Sequence, residues 1–174
     1  EVACAVLGAM QSRATAERVD LANSGALGRV VLASQQLAHP EFPGADVRTP
    51  VLLAVDAADE AAYMEERFGP ISFVVKVADA DAAIALSERI VTEHGALTVG
   101  LYSTRAAVID AMTEATWRGK VALSINLTGG VFVNQSAAFS DYHGTGGNPS
   151  ANASYSDSAF VANRFRVVQR RYHV

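Results

Sequence analysis

From residue 71 to residue 127, short β-branched runs alternate with longer amphipathic stretches, and that alternation leaves few folds open. Residues 71–77, 97–102 and 121–127 are apolar and rich in Val, Ile and Leu. The stretches between them, 79–94 and 105–117, have helical spacing, with Ala83, Ile84, Leu86, Ile90 and Val91 forming the buried face of the first. Asp79-Ala80-Asp81 leads into that helix and His94-Gly95 ends it, while Ser103-Thr104 stand where the second needs a cap. Strand, helix and strand in sequence predict parallel pairing with right-handed crossovers. Segments 71–77 and 121–127 read as apolar on both faces, which is what a covered parallel sheet requires. The expected fold class is α/β, a mostly parallel sheet with helices on both faces.

The flanking regions are less regular. Residues 5–25 carry Val6, Ala9, Met10, Ala14, Val19 and Leu21 in a loosely helical pattern closed by Ser24-Gly25. Residues 30–33 and 51–55 read as strands, and His39-Pro40-Glu41-Phe42-Pro43-Gly44 between them is loop chemistry. Residues 56–68 read as a short acidic helix, and 131–134 as a strand after Thr128-Gly129-Gly130. Beyond Phe139 the chain is rich in Gly, Ser, Asn and Ala as far as Ser158. Residues 165–174, from Phe165 to Val174, return to strand propensity, with Arg164, Arg166, Arg170 and Arg171 as the solvated face of an edge strand.

Composition closes off several classes of function. The 174 residues carry a formal net charge of -4, so no basic field points to nucleic acid or an anionic membrane. No apolar run reaches the roughly 18 residues of a membrane span, and no signal peptide is visible, so the expected location is cytoplasmic. Cys4 is the single cysteine, flanked by small apolar residues that would not activate a thiol. His39, His94, His143 and His173 are scattered, which gives no metal-ligand spacing. Ser140-Asp141-Tyr142-His143 crowds three catalytic residue types into one loop, whereas a working triad draws them from separate elements. In Gly144-Thr145-Gly146-Gly147-Asn148-Pro149, proline stands where a dinucleotide fingerprint has its third glycine, so the segment reads as a loop able to close near a ligand. No catalytic residue is assigned.

The run Glu65-Glu66-Arg67-Phe68-Gly69-Pro70 has two readings. A carboxylate beside an aromatic ring at a helix end can accept paired hydroxyl hydrogen bonds, as a ribose would offer. The same residues could equally be a solvated acidic helix end with a core phenylalanine.

That run resembles the E-E-x-F-G-P signature in the catalytic domain of aldehyde dehydrogenases. The order of the neighbouring motifs agrees. Upstream, Val6-Leu7-Gly8-Ala9-Met10 is similar to the L-G-P-hydrophobic segment that follows the family's nucleophile. Downstream come the helix 79–94 ending in His94-Gly95-Ala96-Leu97, the strand 99–102, and Gly130-Val131-Phe132-Val133-Asn134, which is similar to the G-x-x-x-N strand before the active-site loop. The loop from Phe139 to Pro149 departs from the usual P-F-G-G-x-K-x-S-G. Together with the segment from Ala159 to Gln169, it resembles the phenylacetic acid degradation (PaaN) branch of ring-opening aldehyde dehydrogenases.

The resemblance implies an aldehyde dehydrogenase catalytic-domain-like fold, with residues 1–160 the C-terminal portion of that domain and 161–174 an oligomerisation strand. Glu66 would accept the nicotinamide ribose hydroxyls and Phe68 would pack beside them. Phe139 would line the substrate tunnel, Asn134 would hold the strand-to-loop geometry, and Tyr142 and His143 would contact the branch-specific pocket. The implied cofactor is NADP, or NAD, and the implied substrate is a CoA-linked aldehyde exposed by ring opening and oxidised to an acid. The family's cysteine nucleophile and glutamate base have no counterpart here, so the isolated chain is expected to be inactive. Self-association through 165–174 into a homo-oligomer is implied as well. The alternatives are a generic or CoA-acylating aldehyde dehydrogenase, and a non-enzymatic α/β interaction domain that assembles through the same segment.

Overall fold

In a computed structural model, which describes residues 7–96, 98–127 and 170–172, the first helix begins where a side chain can satisfy its open end. Ser12 Oγ accepts the Thr15 N–H at 3.2 Å, so α1 runs Arg13–Asn23 and not from residue 5 as the apolar spacing suggested. Ser24 and Gly25 close it, with Gly25 in the left-handed region at φ 83. The chain divides into two compact units, Glu1–Val77 and Ala78–Val174.

In the first unit, β1 (Arg29–Leu32), β4 (Val51–Asp56) and β5 (Ile71–Lys76) form a sheet in the order β1-β4-β5. The β1–β4 pair is antiparallel, with a bulge between Val30 and Leu32, and the β4–β5 pair is parallel from Val51↔Ile71 to Asp56↔Lys76. β2 (Gln36–Leu37) and β3 (Val47–Arg48) make a small antiparallel ribbon that was too short to read from sequence. Val51 and Leu53 of β4 are buried with Ala22 of α1, and Leu27, Val30, Ile71 and Phe73 pack around them. Burying each such Leu or Val fully is worth about 1.5–3 kcal/mol. Gly28, at φ 147, lets the chain pass close to β4, since a Cβ there would lie 2.5 Å from Val55 Cγ1. Arg48 donates to Asp46 Oδ1 at 2.8 Å and also pairs with Asp20 of α1. The Asp46 bond and then the Asp20 bond hold its guanidinium pKa above the ordinary value.

The expectation that 71–77 is apolar on both faces is corrected here. Among the described residues β5 is an edge strand of a three-stranded sheet, and Ser72, Val74 and Lys76 are exposed, Val74 at 49%. One face of this strand meets the core and the other is open, hence the alternation.

In the second unit, Asp79 Oδ1 accepts the Ala82 N–H at 2.8 Å and starts α3 (Ala80–Glu93) as expected. Next come β6 (Thr98–Leu101), α4 (Ala106–Arg118) and β7 (Ala122–Ile125). The expected Ser103-Thr104 cap takes another form. Arg105 is the N-cap residue and makes no side-chain cap bond, while Ser103 Oγ accepts the Arg105 N–H at 3.2 Å. β6 and β7 are parallel, and β8 (Arg170–Tyr172) adds to β7 in parallel. Ile84, Leu101, Val108, Met112, Leu123 and Ile125 are members of its buried core. Arg118 reaches from α4 to Glu88 of α3, donating from Nη2 to Oε2 at 2.8 Å. That bond draws the Glu88 pKa below its ordinary value and the Arg118 pKa above its own.

The short helix α2 (Glu60–Tyr63) lies in the first unit, between β4 and β5. Among the described residues no helix is long and apolar enough to cross a membrane.

Candidate functional site

The Glu65–Pro70 run is not a helix end. α2 stops at Tyr63 with Met64 as its C-cap, several residues short of the expected limit at 68. The reason is local. Asp59, its N-cap, makes no side-chain bond to the helix. Arg67 Nη2 donates to the Ala61 carbonyl at 3.1 Å, an acceptor that a continuing helix would use for its own next turn. Tyr63 Oη donates to the Ala57 carbonyl at 2.7 Å and fixes the same turn from its other side.

Past the helix, exposure alternates. Glu66 and Phe68 are exposed, Phe68 at 67%, whereas the Arg67 side chain is only 22% exposed. The reading of Phe68 as a core residue is therefore overturned. Arg67 turns inward, bonds the Ala61 carbonyl and pairs with Glu65 Oε2 at 3.1 Å. Glu66 has no ion pair or hydrogen bond among the described residues. Its carboxylate thus keeps its acceptor capacity, two residues from an uncovered ring.

The backbone beneath these side chains is fastened to two elements. Arg18 of α1 donates from Nη1 to the Phe68 carbonyl at 2.9 Å, across 50 positions of sequence. Gly69 has φ 141 and rests against α1, where a Cβ would meet Thr15 Cγ2 and Val19 Cγ2 at an ordinary contact distance of 3.4 Å. The Pro70 carbonyl accepts the Val51 N–H at 2.9 Å, which starts the β4–β5 register. Neither Arg18 nor the role of Gly69 was found from the sequence. Gly-Pro was legible as a turn, but not the helix against which it would rest.

Residues expected to bind substrate, Phe139, Tyr142 and His143, lie outside the described residues, as do Cys4 and Asn134. What is described of the second unit is the anchor before that region. Asn126, at φ 55 just past the C-terminal end of β7, donates from Nδ2 to the Ser103 carbonyl and accepts the Ser103 N–H at Oδ1, both at 2.9 Å. Tyr102 Oη donates to the Leu127 carbonyl at 2.6 Å. These three bonds fix the carboxyl ends of parallel strands, the side on which open α/β sheets bind their ligands. Among the described residues no three His, Cys, Asp or Glu side chains group as metal ligands. His39 Nδ1 accepts the N–H groups of Glu41 and Phe42, each at 3.2 Å, which makes it part of its loop.

Comparison with known proteins bears on what these anchored groups belong to. No protein-family model matches the chain. A crystal structure of an NAD-dependent aldehyde dehydrogenase from Burkholderia multivorans superposes with a TM-score of 0.78 at 58% identity, over 90% of this chain and 28% of that one. Over nearly all of its length the chain is therefore similar to part of an aldehyde dehydrogenase. A succinate-semialdehyde dehydrogenase [NADP(+)] of Deinococcus radiodurans is 47% identical over 60 residues, 34% of this chain and 12% of that protein. The chain thus spans little more than a quarter of its structural relative. The α/β fold read from the alternation of strands and helices agrees with that of the aldehyde dehydrogenase relative.

Proposed function

We propose that this chain is part of an NADP- or NAD-dependent aldehyde dehydrogenase, with Glu66 and Phe68 forming the face that receives the nicotinamide ribose. The observation that carries the reading is the outward pair itself: a carboxylate without a partner among the described residues, beside a phenylalanine left 67% exposed. Exposing an aromatic ring of this size costs about 1.5–3 kcal/mol of forgone burial, so a ligand that covers it recovers that free energy. A carboxylate acts only as an acceptor, which suits two adjacent hydroxyls and would repel a phosphate. The residues present therefore fit the ribose of a nicotinamide nucleotide. When bound, its nicotinamide ring accepts the hydride that leaves the aldehyde carbon. Glu66 orients the ribose, and Phe68 limits its movement and excludes water from its flank.

The test uses the intact protein that carries this segment. Glu66→Gln is expected to raise the Kd for the nucleotide about tenfold, as loss of charge-assisted hydrogen bonds predicts. An unchanged Kd would refute the site. The isolated 174 residues are expected not to reduce cofactor; reduction that disappears with Cys4→Ala would overturn that.

For substrate, the loop from Phe139 to Pro149 supports a CoA-linked aldehyde released by ring opening in phenylacetate catabolism, with Phe139, Tyr142 and His143 contacting it. The name of the Deinococcus relative favours a second reading, a dehydrogenase of simple aldehydes. Rates with the ring-opening product and with aliphatic aldehydes, each with and without free CoA, separate these readings from an acylating enzyme. Preference for aliphatic aldehydes would count against the ring-opening substrate. Cytoplasmic location and homo-oligomerisation through 161–174 complete the proposal. Arg170–Tyr172 already pairs with β7 within the chain, so a second subunit would have to meet another edge or another part of that segment. The interaction-domain alternative has no counterpart in either relative, both of which are dehydrogenases by name.

A further inference from the structure

We infer that Arg18 is a positioning residue for this face: by holding the Phe68 carbonyl, it sets how Glu66 and Phe68 meet a nicotinamide nucleotide, and hence how tightly the nucleotide binds. The inference rests on the ribose reading of Glu66 and Phe68 given above.

Phe68 is an aromatic residue whose ring has little packing to orient it, so its direction must come from the backbone. Arg18 Nη1 lies 2.9 Å from the Phe68 carbonyl and 3.4 Å from Thr15 Oγ1. Thr15 is itself fixed at the helix start. Its N–H bonds Ser12 Oγ at 3.2 Å, and the two hydroxyls lie 3.1 Å apart. A chain of contacts therefore runs from the cap of α1 through Thr15 and Arg18 to the main chain between Glu66 and Gly69. In the next peptide, between Gly69 and Pro70, the Gly69 carbonyl accepts the Ile71 N–H at 2.8 Å. Two consecutive peptides, Phe68–Gly69 and Gly69–Pro70, are thus restrained, the first by one long side chain and the second by one tight turn.

Arg18 is half-buried and has no acidic partner among the described residues. A cation spent on a main-chain carbonyl, with no carboxylate to neutralise it, is better suited to fixing a peptide than to a surface ion pair. Such a restraint lowers the ordering cost of binding, because the acceptor and the ring already face outward. Lysine could supply one donor at that reach, and methionine could supply length but no donor.

The experiment titrates NADP and NAD into the intact protein by calorimetry, comparing wild type with Arg18→Met, Arg18→Lys and Glu66→Gln, and follows with steady-state kinetics. Arg18→Met is expected to weaken nucleotide binding about tenfold and to raise the nucleotide KM alike, while kcat at saturation and the aldehyde KM hold within about twofold. Arg18→Lys should recover most of the affinity, which a loss of general stability would not predict. If Glu66→Gln weakens binding and Arg18→Met does not, the positioning role is overturned and the ribose site stands. If Glu66→Gln leaves binding unchanged, the ribose site falls and this inference falls with it. Should Arg18→Met fail to fold, Arg18→Gln replaces it with the same expected weakening, and wild-type affinity in that variant overturns the role.

Discussion

Gly119→Ala should destabilise the second unit through one contact, and the cost can be worked from the geometry. Gly119 caps α4 at φ -75, an angle open to any residue, so backbone strain is not involved. The obstacle is Val91 of α3, because an added Cβ would lie 2.4 Å from its Cγ2 and 3.2 Å from its Cβ. Carbon atoms pack at about 3.5–4.0 Å, so the first distance is short by more than an ångström. Val91 is only 3% exposed and β-branched in a helix, where it has essentially one rotamer and cannot turn aside. The helices must part, and overpacking of this kind costs about 1–3 kcal/mol. Val91→Ala removes the obstructing methyl groups at its own cost of about 1.5–3 kcal/mol. In that background only the 3.2 Å approach to the remaining Cβ is left, so Gly119→Ala should cost much less, giving a coupling of about 1 kcal/mol. Hydrogen exchange of the α3 and α4 amides in the intact protein measures each corner of the cycle locally, without requiring a two-state transition of the whole chain. Equal destabilisation by Gly119→Ala in both backgrounds would refute the reasoning, as would a neutral Gly119→Ala.

Two further outcomes are expected. Gly69→Ala has room against Thr15 and Val19, so its cost of about 1–3 kcal/mol comes from φ 141 alone; Gly100→Ala, whose Cβ would meet only Tyr102 Cε2 at 3.8 Å, should be nearly neutral. Equal exchange protection of β5 in the first variant and β6 in the second, each against wild type, would refute the strain. Glu88, drawn by Arg118 below its usual value of 4.5, contributes stability that is fully present above pH 4.5 and is lost as pH falls through the lower folded value. The difference in α3 protection between wild type and Glu88→Gln should therefore shrink on acidification, and a difference that grows would reverse the assignment.

Legibility from sequence followed the range of the interactions involved. α3 was readable to within a residue at each end, because its apolar face, Asp79 cap and His94-Gly95 stop are all local signals. β4 was readable for the same reason, a short β-branched run bounded by turns. α2 was not, because its end goes with Arg67 taking the Ala61 carbonyl, and an acidic run carries no sign of that competition. β5 was assigned correctly as a strand, but its environment was misjudged. Composition gives apolarity along a strand, whereas exposure depends on how many neighbours the sheet supplies. The α4 start failed on a finer point: Ser103 does bond a nearby N–H, but one residue before the helix proper. Of the candidate site, the motif gave the two residues and the fold gave the tether. A hydrogen bond spanning 50 positions, such as that from Arg18, leaves no mark on local pattern.

The tether also bears on why one carboxylate of an adjacent pair should be available and the other not. Glu65 and Glu66 are chemically equivalent in the sequence, and both are exposed. What distinguishes them is Arg67, whose side chain is mostly buried and whose Nε has no hydrogen-bond partner among the described residues. A guanidinium so placed needs a counter-charge nearby more than a solvated carboxylate needs a cation, because the desolvated ion bears the larger cost. Glu65, on the same side of the backbone, supplies that charge at 3.1 Å while remaining 73% exposed itself. The pair adds little as a surface salt bridge. Its consequence is one of assignment: with Arg67 engaged by Glu65 and by the Ala61 carbonyl, no cation of this segment is left to neutralise Glu66. Alternation along the chain then sends Glu66 and Phe68 outward together. An acceptor and a ring thus stand on one face with the intervening cation turned away, and a carboxylate so placed is able to accept hydroxyl hydrogen bonds, as the proposed ribose site requires.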